Sequence, residues 1–121
     1  MNDLKNMSVE ELVARFVAIA VQQGEAALDF DHKKFNSLFD KMNEVDLELQ
    51  ARGTEARRAL MPLYEHPDLQ VQIKAAKRTL AVAPLEARAV LERLAASGEM
   101  PQALEAGMSI YNLDNGTYKP V

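Results

Sequence analysis

Three residues that could act as metal ligands lie within four positions of one another, at Asp29, Asp31 and His32. Carboxylate and imidazole groups bind divalent metal ions when several of them converge on one point. The same residue types are also frequent at helix ends, where a carboxylate accepts hydrogen bonds from free backbone N–H groups. We interpret this cluster as helix caps and solvated charge, and we predict neither a metal nor any other cofactor.

The second histidine, His66, lies near Glu65 and Asp68 and is a candidate general base. Nucleophilic catalysis would also need a serine, threonine or cysteine beside an oriented base. The chain has no cysteine, its serines lack a Gly-x-Ser-x-Gly pattern, and its five glycines are isolated rather than grouped into a phosphate-binding loop. We therefore predict that His66 caps a helix or bonds to backbone, and that the protein is not an enzyme.

The charges are distributed unevenly along the chain, whose formal net charge is −4. The balance is −5 over residues 1–51, +3 over 52–93 and −2 over 94–121. An acidic protein is a poor general binder of nucleic acid, because its field repels phosphate. The basic middle segment still leaves room for a local anionic partner.

Two rows of charge are candidate binding surfaces. In the acidic row Asp40, Glu44 and Glu48 recur every four residues and so share one helix face, where like charges repel one another. This row is either a solvated face or a docking surface for a basic partner. The basic set would serve a nucleic-acid-associated protein, and it comprises Arg57, Arg58, Lys74, Lys77 and Arg78.

The elements that position these residues are helices, because apolar residues recur at helical spacing along nearly the whole chain and no segment alternates as a strand would. Ser8 and Glu11 form a capping box at the first helix. The first predicted helix covers about 9–23; Gly24 weakens the pattern there, and the alternative is that the helix continues through Ala26, Ala27 and Leu28. The other predicted helices run from Asp29 or Asp31 to Arg52, over a short segment capped by Thr54 and containing Pro62, over about 68–82 and 84–97, and from Pro101 onward. Residues 114–121 are predicted to form an extended tail.

The same periodicity predicts which side chains are buried. Phe16 and Phe39 are expected in the core of the first two helices, and Leu104 in that of the sixth. Gly107 lies inside the sixth helix, where glycine lowers helix stability, and close packing of a neighbouring helix is the expected reason. The six methionines indicate either an adaptable hydrophobic groove or ordinary core, and Met61, Met100 and Met108 fit both interpretations.

A weak internal repeat has an offset of about 31 residues. Leu60 and Leu63 recur as Leu91 and Leu94, and Ala75-Ala76 recurs as Ala106-Gly107. The segment from Leu60 to Asp68, followed by Val71 and Ala75-Ala76, resembles a HEAT-type repeat, in which a helix ends in a proline-containing turn and the next helix carries a small pair.

The whole chain also resembles a small bacterial family known only as a domain of unknown function. The segments that carry this resemblance are Ser8-Val9-Glu10-Glu11-Leu12, Lys34-Phe35-Asn36, Leu38-Phe39-Asp40, Arg58-Ala59-Leu60, Lys74-Ala75-Ala76, Pro101-Gln102-Ala103, Gly107-Met108 and Lys119-Pro120. The resemblances imply an all-α fold: a single domain over 1–121 with five or six antiparallel helices in a short HEAT-like right-handed superhelix. They imply no activity, substrate or catalytic residue.

These observations favour a non-enzymatic protein-interaction module that is cytoplasmic, bacterial by resemblance, and a monomer or weak homodimer. Some small helical proteins of this kind are immunity proteins against bacterial toxins, so we expect an immunity-like or antitoxin-like role with an unidentified protein partner. The alternative is a small nucleic-acid-associated protein that uses the basic set. No apolar run approaches the roughly 20 residues that span a bilayer, and no secretory signal is visible at the N-terminus, so no membrane partner is expected.

Overall fold

The structure, a computed structural model, describes residues 3–121; Met1 and Asn2, with which the predicted domain begins, lie outside this range. Within it the chain forms six α-helices and two short 3-10 segments, with no strand. This confirms the all-α fold class. The helices are α1 (Val9–Leu28), α2 (His32–Ala51), α3 (Thr54–Arg58), α4 (Leu69–Arg78), α5 (Pro84–Ser97) and α6 (Gln102–Asp114), and the 3-10 segments are Leu4–Asn6 and Met61–Glu65.

The chain divides into two compact units. The first ends at Leu60 and contains α1, α2 and α3, and the second, Met61–Val121, contains the later 3-10 segment with α4, α5 and α6. A single domain over 1–121 and a HEAT-like superhelical arrangement of its helices stay predictions.

In the first unit, the predicted capping box starts α1. The Ser8 hydroxyl accepts from the Glu11 N–H at 3.1 Å, and the Glu11 carboxylate accepts from the Ser8 N–H at 2.8 Å. The helix ends at Leu28, which confirms the continuation past 23 through Ala26, Ala27 and Leu28. Asp31, one of the two predicted caps, then starts α2 by accepting from the Lys34 N–H at 3.1 Å.

The two long helices pack against each other through stripes of apolar side chains at helical spacing. The buried apolar residues of these helices are Leu12, Phe16, Ile19, Ala20 and Ala26 on α1, and Leu38, Met42, Val45 and Leu49 on α2. The prediction that Phe39 belongs to this core is wrong, because its position is 42% exposed. Phe39 follows the buried Leu38 in the chain but lies beside the buried stripe of α2 rather than in it.

A sharp turn separates α2 from α3. The predicted cap, Thr54, is instead the first helical residue, and Gly53 occupies the capping position with a φ of 104°. An L side chain rarely adopts that backbone conformation, so glycine suits the turn.

In the second unit, Asp68 caps α4 by accepting from the N–H groups of Gln70 at 2.8 Å and Val71 at 3.3 Å. The helix ends at Arg78, four residues before the predicted 82. Pro84 opens α5, as predicted, and Gly98 ends it in the left-handed conformation with a φ of 74°.

The helices of the second unit enclose one apolar cluster. It comprises Ile73, Ala76, Leu80, Ala87, Val90, Leu91, Leu94 and Ala106. Arg88 of α5 donates to both carboxylate oxygens of Asp114, at 2.8 and 3.1 Å, where α6 ends. Asp114 is the last residue of α6, so the segment after the helix begins at Asn115 and not at 114 as predicted.

Two side-chain contacts show that α4 and α6 run in the same direction. Gln102 donates to Gln70 at 2.9 Å, and one turn further along both helices Lys74 pairs with Glu105 at 2.7 Å. Lys74 and Glu105 are 31 residues apart, which is the offset of the sequence repeat. Equivalent positions of the two repeat copies are thus in contact.

The buried aromatic of α1 gives a direct test of this packing. Phe16→Ala should lower the free energy of unfolding by about 3–5 kcal/mol, because the fully buried ring would leave a cavity. Phe39→Ala is the matched control, and its loss should be below about 1 kcal/mol because that ring is partly solvated. Urea unfolding followed by circular dichroism measures both. Equal losses for the two variants would contradict the assignment of the core face.

Candidate functional site

The residues that could have bound a metal serve instead as helix ends. Asp29 is the C-terminal cap of α1, and Asp31 is the N-terminal cap of α2. Across residues 3–121, no group of three or more His, Asp or Glu side chains is arranged to hold a metal ion.

The candidate general base is also engaged with backbone. The Nδ1 atom of His66 accepts from the Asp68 N–H at 3.0 Å, just before α4 begins. The hydroxyls of Ser97 and Ser109 donate to the backbone carbonyls of Leu94 and Glu105, at 2.6 and 2.9 Å. His66, Ser97 and Ser109 thus form hydrogen bonds with backbone at helix ends or within helix turns.

The acidic row of α2 is divided by the structure. Asp40 and Glu44 are exposed, whereas Glu48 is partly buried and accepts from Arg52 at 2.9 Å. The Arg52 guanidinium also donates to the carbonyl of Leu4 at 2.9 Å, so Glu48 helps to hold the N-terminal 3-10 segment. The row predicted as one docking surface thus offers two free carboxylates, with the exposed Leu47 close to them on the same helix.

The basic set does not form an open row on α4. Lys74 is 6% exposed, and both Lys74 and Lys77 direct their ammonium groups to one oxygen of Glu105, at 2.7 and 3.0 Å. The prediction of Lys74 as a surface cation is wrong, because α4 is buried on every face over Gln70–Ala76. Arg78 is half-buried, and Arg57 and Arg58, also half-buried, belong to the first unit.

Burial and pairing compete in the Lys74–Glu105 contact. Burial lowers the pKa of the Lys74 ammonium, and its attraction to Glu105 offsets only part of that effect. Burial alone would raise the pKa of the Glu105 carboxyl, but the charges and hydrogen bonds of Lys74 and Lys77 outweigh it and hold that pKa below 4.5. Glu105 is therefore ionised at neutral pH and compensates a buried ammonium.

Removing the charge of Glu105 should expose this dependence. Glu105→Gln should lower the free energy of unfolding by about 1–3 kcal/mol at pH 7, because Lys74 would be left buried without a counter-ion. Glu92→Gln is the control: it breaks the exposed pair with Arg88 and should cost below about 0.5 kcal/mol.

The same pair sets a pH dependence. Because the pKa of Glu105 is lower in the folded than in the unfolded chain, its contribution to stability is fully present above the unfolded pKa and is lost as the pH falls through the lower folded pKa. Urea unfolding from pH 7 to pH 3 should show the wild type approaching Glu105→Gln. A gap that stays constant over this range would contradict the pairing.

An exposed apolar feature of the second unit lies along α6, and sequence periodicity missed it. Met100, Leu104, Met108 and Tyr111 are 65%, 60%, 58% and 69% exposed, although Leu104 was predicted to be buried. Together with Ala95, Ala103, Gly107 and Asn112 they line an open depression of about 500 Å³, which we call the α6 groove. Met100 and Met108, for which a groove was one of two sequence interpretations, both line it.

Gly107 lies in the α6 groove rather than against a neighbouring helix. A Cβ atom built at this position would meet nothing within 4 Å. The prediction that Gly107 permits close helix packing within the described chain is therefore wrong. Glycine lowers helix stability at this position, and its missing side chain leaves open space in the groove.

The lining of the α6 groove determines the chemistry that it can perform. All eight residues are uncharged, and their polar groups are the Tyr111 hydroxyl and the Asn112 amide. No nucleophile–base pair and no set of metal ligands lines it. A surface of this composition offers apolar contacts and no charged group.

The structure is therefore that of an all-helical protein with an exposed apolar helix face. Residues 10–114 match the model of DUF2019, a domain of unknown function, so the chain belongs to this family. No activity is assigned to this family.

A solved structure has the same fold over its full length. The crystal structure of the protein RPA1889 from the bacterium Rhodopseudomonas palustris CGA009 is 45% identical and covers 100% of both chains, with a TM-score of 0.95. A search of curated proteins found no match. In residues 3–121, no helix is both long and apolar enough to cross a membrane.

Proposed function

We propose that this protein is a non-enzymatic protein-interaction module whose principal contact surface is the α6 groove. The observation that carries this proposal is the row of large apolar side chains, each more than half exposed, that follows one face of α6. Soluble proteins rarely leave a contiguous apolar patch in water unless something binds to it. The spacing of Leu104, Met108 and Tyr111, four and then three residues apart, is that of a helix face that packs against another helix.

Several features favour a protein over a small molecule as the ligand. The groove is open along the helix, whereas pockets for small molecules enclose most of their ligand and present a few converging polar groups. Methionine side chains are flexible and adapt to the shape of an apolar partner. A long, shallow, apolar and uncharged surface suits the face of a helix.

The exposed acidic face of α2 supports a finer version of this proposal, in which the module is an immunity-like or antitoxin-like protein in the cytoplasm. Asp40 and Glu44 would attract a basic partner, and the exposed Leu47 would add an apolar contact. Complementary charge of this kind mainly accelerates association. A nucleic-acid ligand is less well supported, because Lys74 and Lys77 are paired with Glu105 and the chain is acidic overall.

Capture from a bacterial extract tests the principal surface. Immobilised wild-type protein should retain a protein partner after nuclease treatment, and Leu104→Gln should lose at least nine-tenths of it because a polar amide would enter the apolar contact. Leu85→Gln is the matched control, since Leu85 is exposed on α5 outside the groove. Equal retention by both variants, or loss of all captured material on nuclease treatment, would contradict the proposal.

Reversal of one acidic charge tests the finer version. Glu44→Lys should stabilise the free protein by about 0.2–0.5 kcal/mol, because it relieves repulsion from Asp40. If the acidic face binds a basic partner, the same change should slow association and weaken its salt dependence. Glu25→Lys, at an exposed position of α1, changes the net charge equally and serves as control. A more stable variant with unchanged association kinetics would remove α2 from the account.

A further inference from the structure

The α6 groove contains both a ridge and a depression. Leu104 and Met108, four residues apart, form a ridge of large side chains. Ala103 and Gly107, also four residues apart, form a row of small residues beside it. Helices pack by inserting such ridges into such depressions, so this one surface carries both halves of a helix–helix contact.

Resting on the proposed function, we propose that the occupant of the α6 groove is α6 of a second copy of this chain. The two helices would run antiparallel about a two-fold axis that passes between Gly107 and Met108. In that register Met108 inserts over the partner's Gly107, Leu104 meets the partner's Tyr111, and Ala103 meets the partner's Asn112. Every α6 residue that lines the groove then has an α6 residue of the groove opposite it.

Self-complementarity favours a second copy over an unrelated protein. A two-fold axis makes each contact twice, so the ridge of each copy fills the depression of the other and the assembly closes as a dimer. Any charged residue near such an axis would face its own copy, and none of the groove residues is charged.

The size of the patch sets the strength of the dimer. Apolar patches of this kind cover about 300–600 Å² on soluble proteins. Two of them would bury about 600–1,200 Å² in total, which is the size of weak, transient interfaces and corresponds to a concentration-dependent dimer.

Charge separates this occupant from a basic partner. Two copies of net charge −4 repel each other, so added salt should strengthen self-association by screening that repulsion. Binding of a basic protein to an acidic face would instead weaken with salt. The sign of the salt effect therefore identifies the interaction.

Sedimentation equilibrium of the full chain, at concentrations from about 10 µM to about 1 mM, measures the dissociation constant of the dimer. The wild type should dimerise in this range, and its dissociation constant should decrease when the salt concentration is raised from low to moderate. Gly107→Gln should raise the dissociation constant at least tenfold by filling the depression, while its melting temperature at low concentration stays at or above that of the wild type. Ala18→Gln, on an exposed face of α1, should leave the constant unchanged. A monomer throughout, or equal constants for both variants, would overturn the proposal.

Single cysteines test the register, because the chain has none of its own. Leu104→Cys and Tyr111→Cys, mixed and oxidised, should form the mixed disulfide in preference to either symmetric one. Leu104 and the partner's Leu104 would be about 10 Å apart along the axis, whereas a disulfide needs Cα atoms about 4–7 Å apart. Mass spectrometry of the cross-linked dimer reads the pairing. A statistical mixture of the three products would contradict the antiparallel register.

These outcomes separate the two proposals. If the protein stays monomeric and Leu104→Gln still loses a captured partner, self-pairing is wrong and the interaction module stands. If the protein stays monomeric and Leu104→Gln retains every partner, both proposals are wrong.

Discussion

The contact between Lys74 and Glu105 fixes how α6 is rotated about its own axis, and the exposed surface of the second unit depends on that rotation. Glu105 faces two ammonium groups of α4, at 2.7 and 3.0 Å. Its neighbour Ala106 enters the apolar cluster, and Gln102 bonds to Gln70 one turn earlier. With these three positions held inward, helical geometry turns Leu104, Met108 and Tyr111 outward.

This arrangement gives α6 two dissimilar faces. The inner face contains the partly buried Lys74–Glu105 ion pair. Its desolvation costs energy, and few other arrangements of the two helices would keep both charges paired. The outer face is apolar and uncharged, which costs energy in water unless it is covered. α6 is thus anchored on its inner side by polar and apolar contacts together, and it exposes a second apolar face to solvent.

Much of the fold could be predicted from local signals. The capping box at Ser8, the cap at Asp31 and the proline at the start of α5 are short-range patterns, and all three are confirmed. Leu104 was misplaced because α6 carries apolar residues on both faces, and periodicity alone does not distinguish an inner from an outer stripe. Lys74 was misplaced because its burial depends on a partner 31 residues away. The repeat offset was the signal that could have paired it with Glu105, because it places opposite charges at equivalent positions.

The methionines provide the most direct test that the α6 groove is an interaction surface. Methyl spectra of methionine-labelled protein, recorded over a dilution series, report on Met100 and Met108 in the groove and on the fully buried Met42 as an internal control. We expect the groove methyl resonances to shift with concentration while the Met42 resonance stays fixed. Groove resonances that are independent of concentration, and that also stay unchanged when bacterial extract proteins are added, would contradict the account.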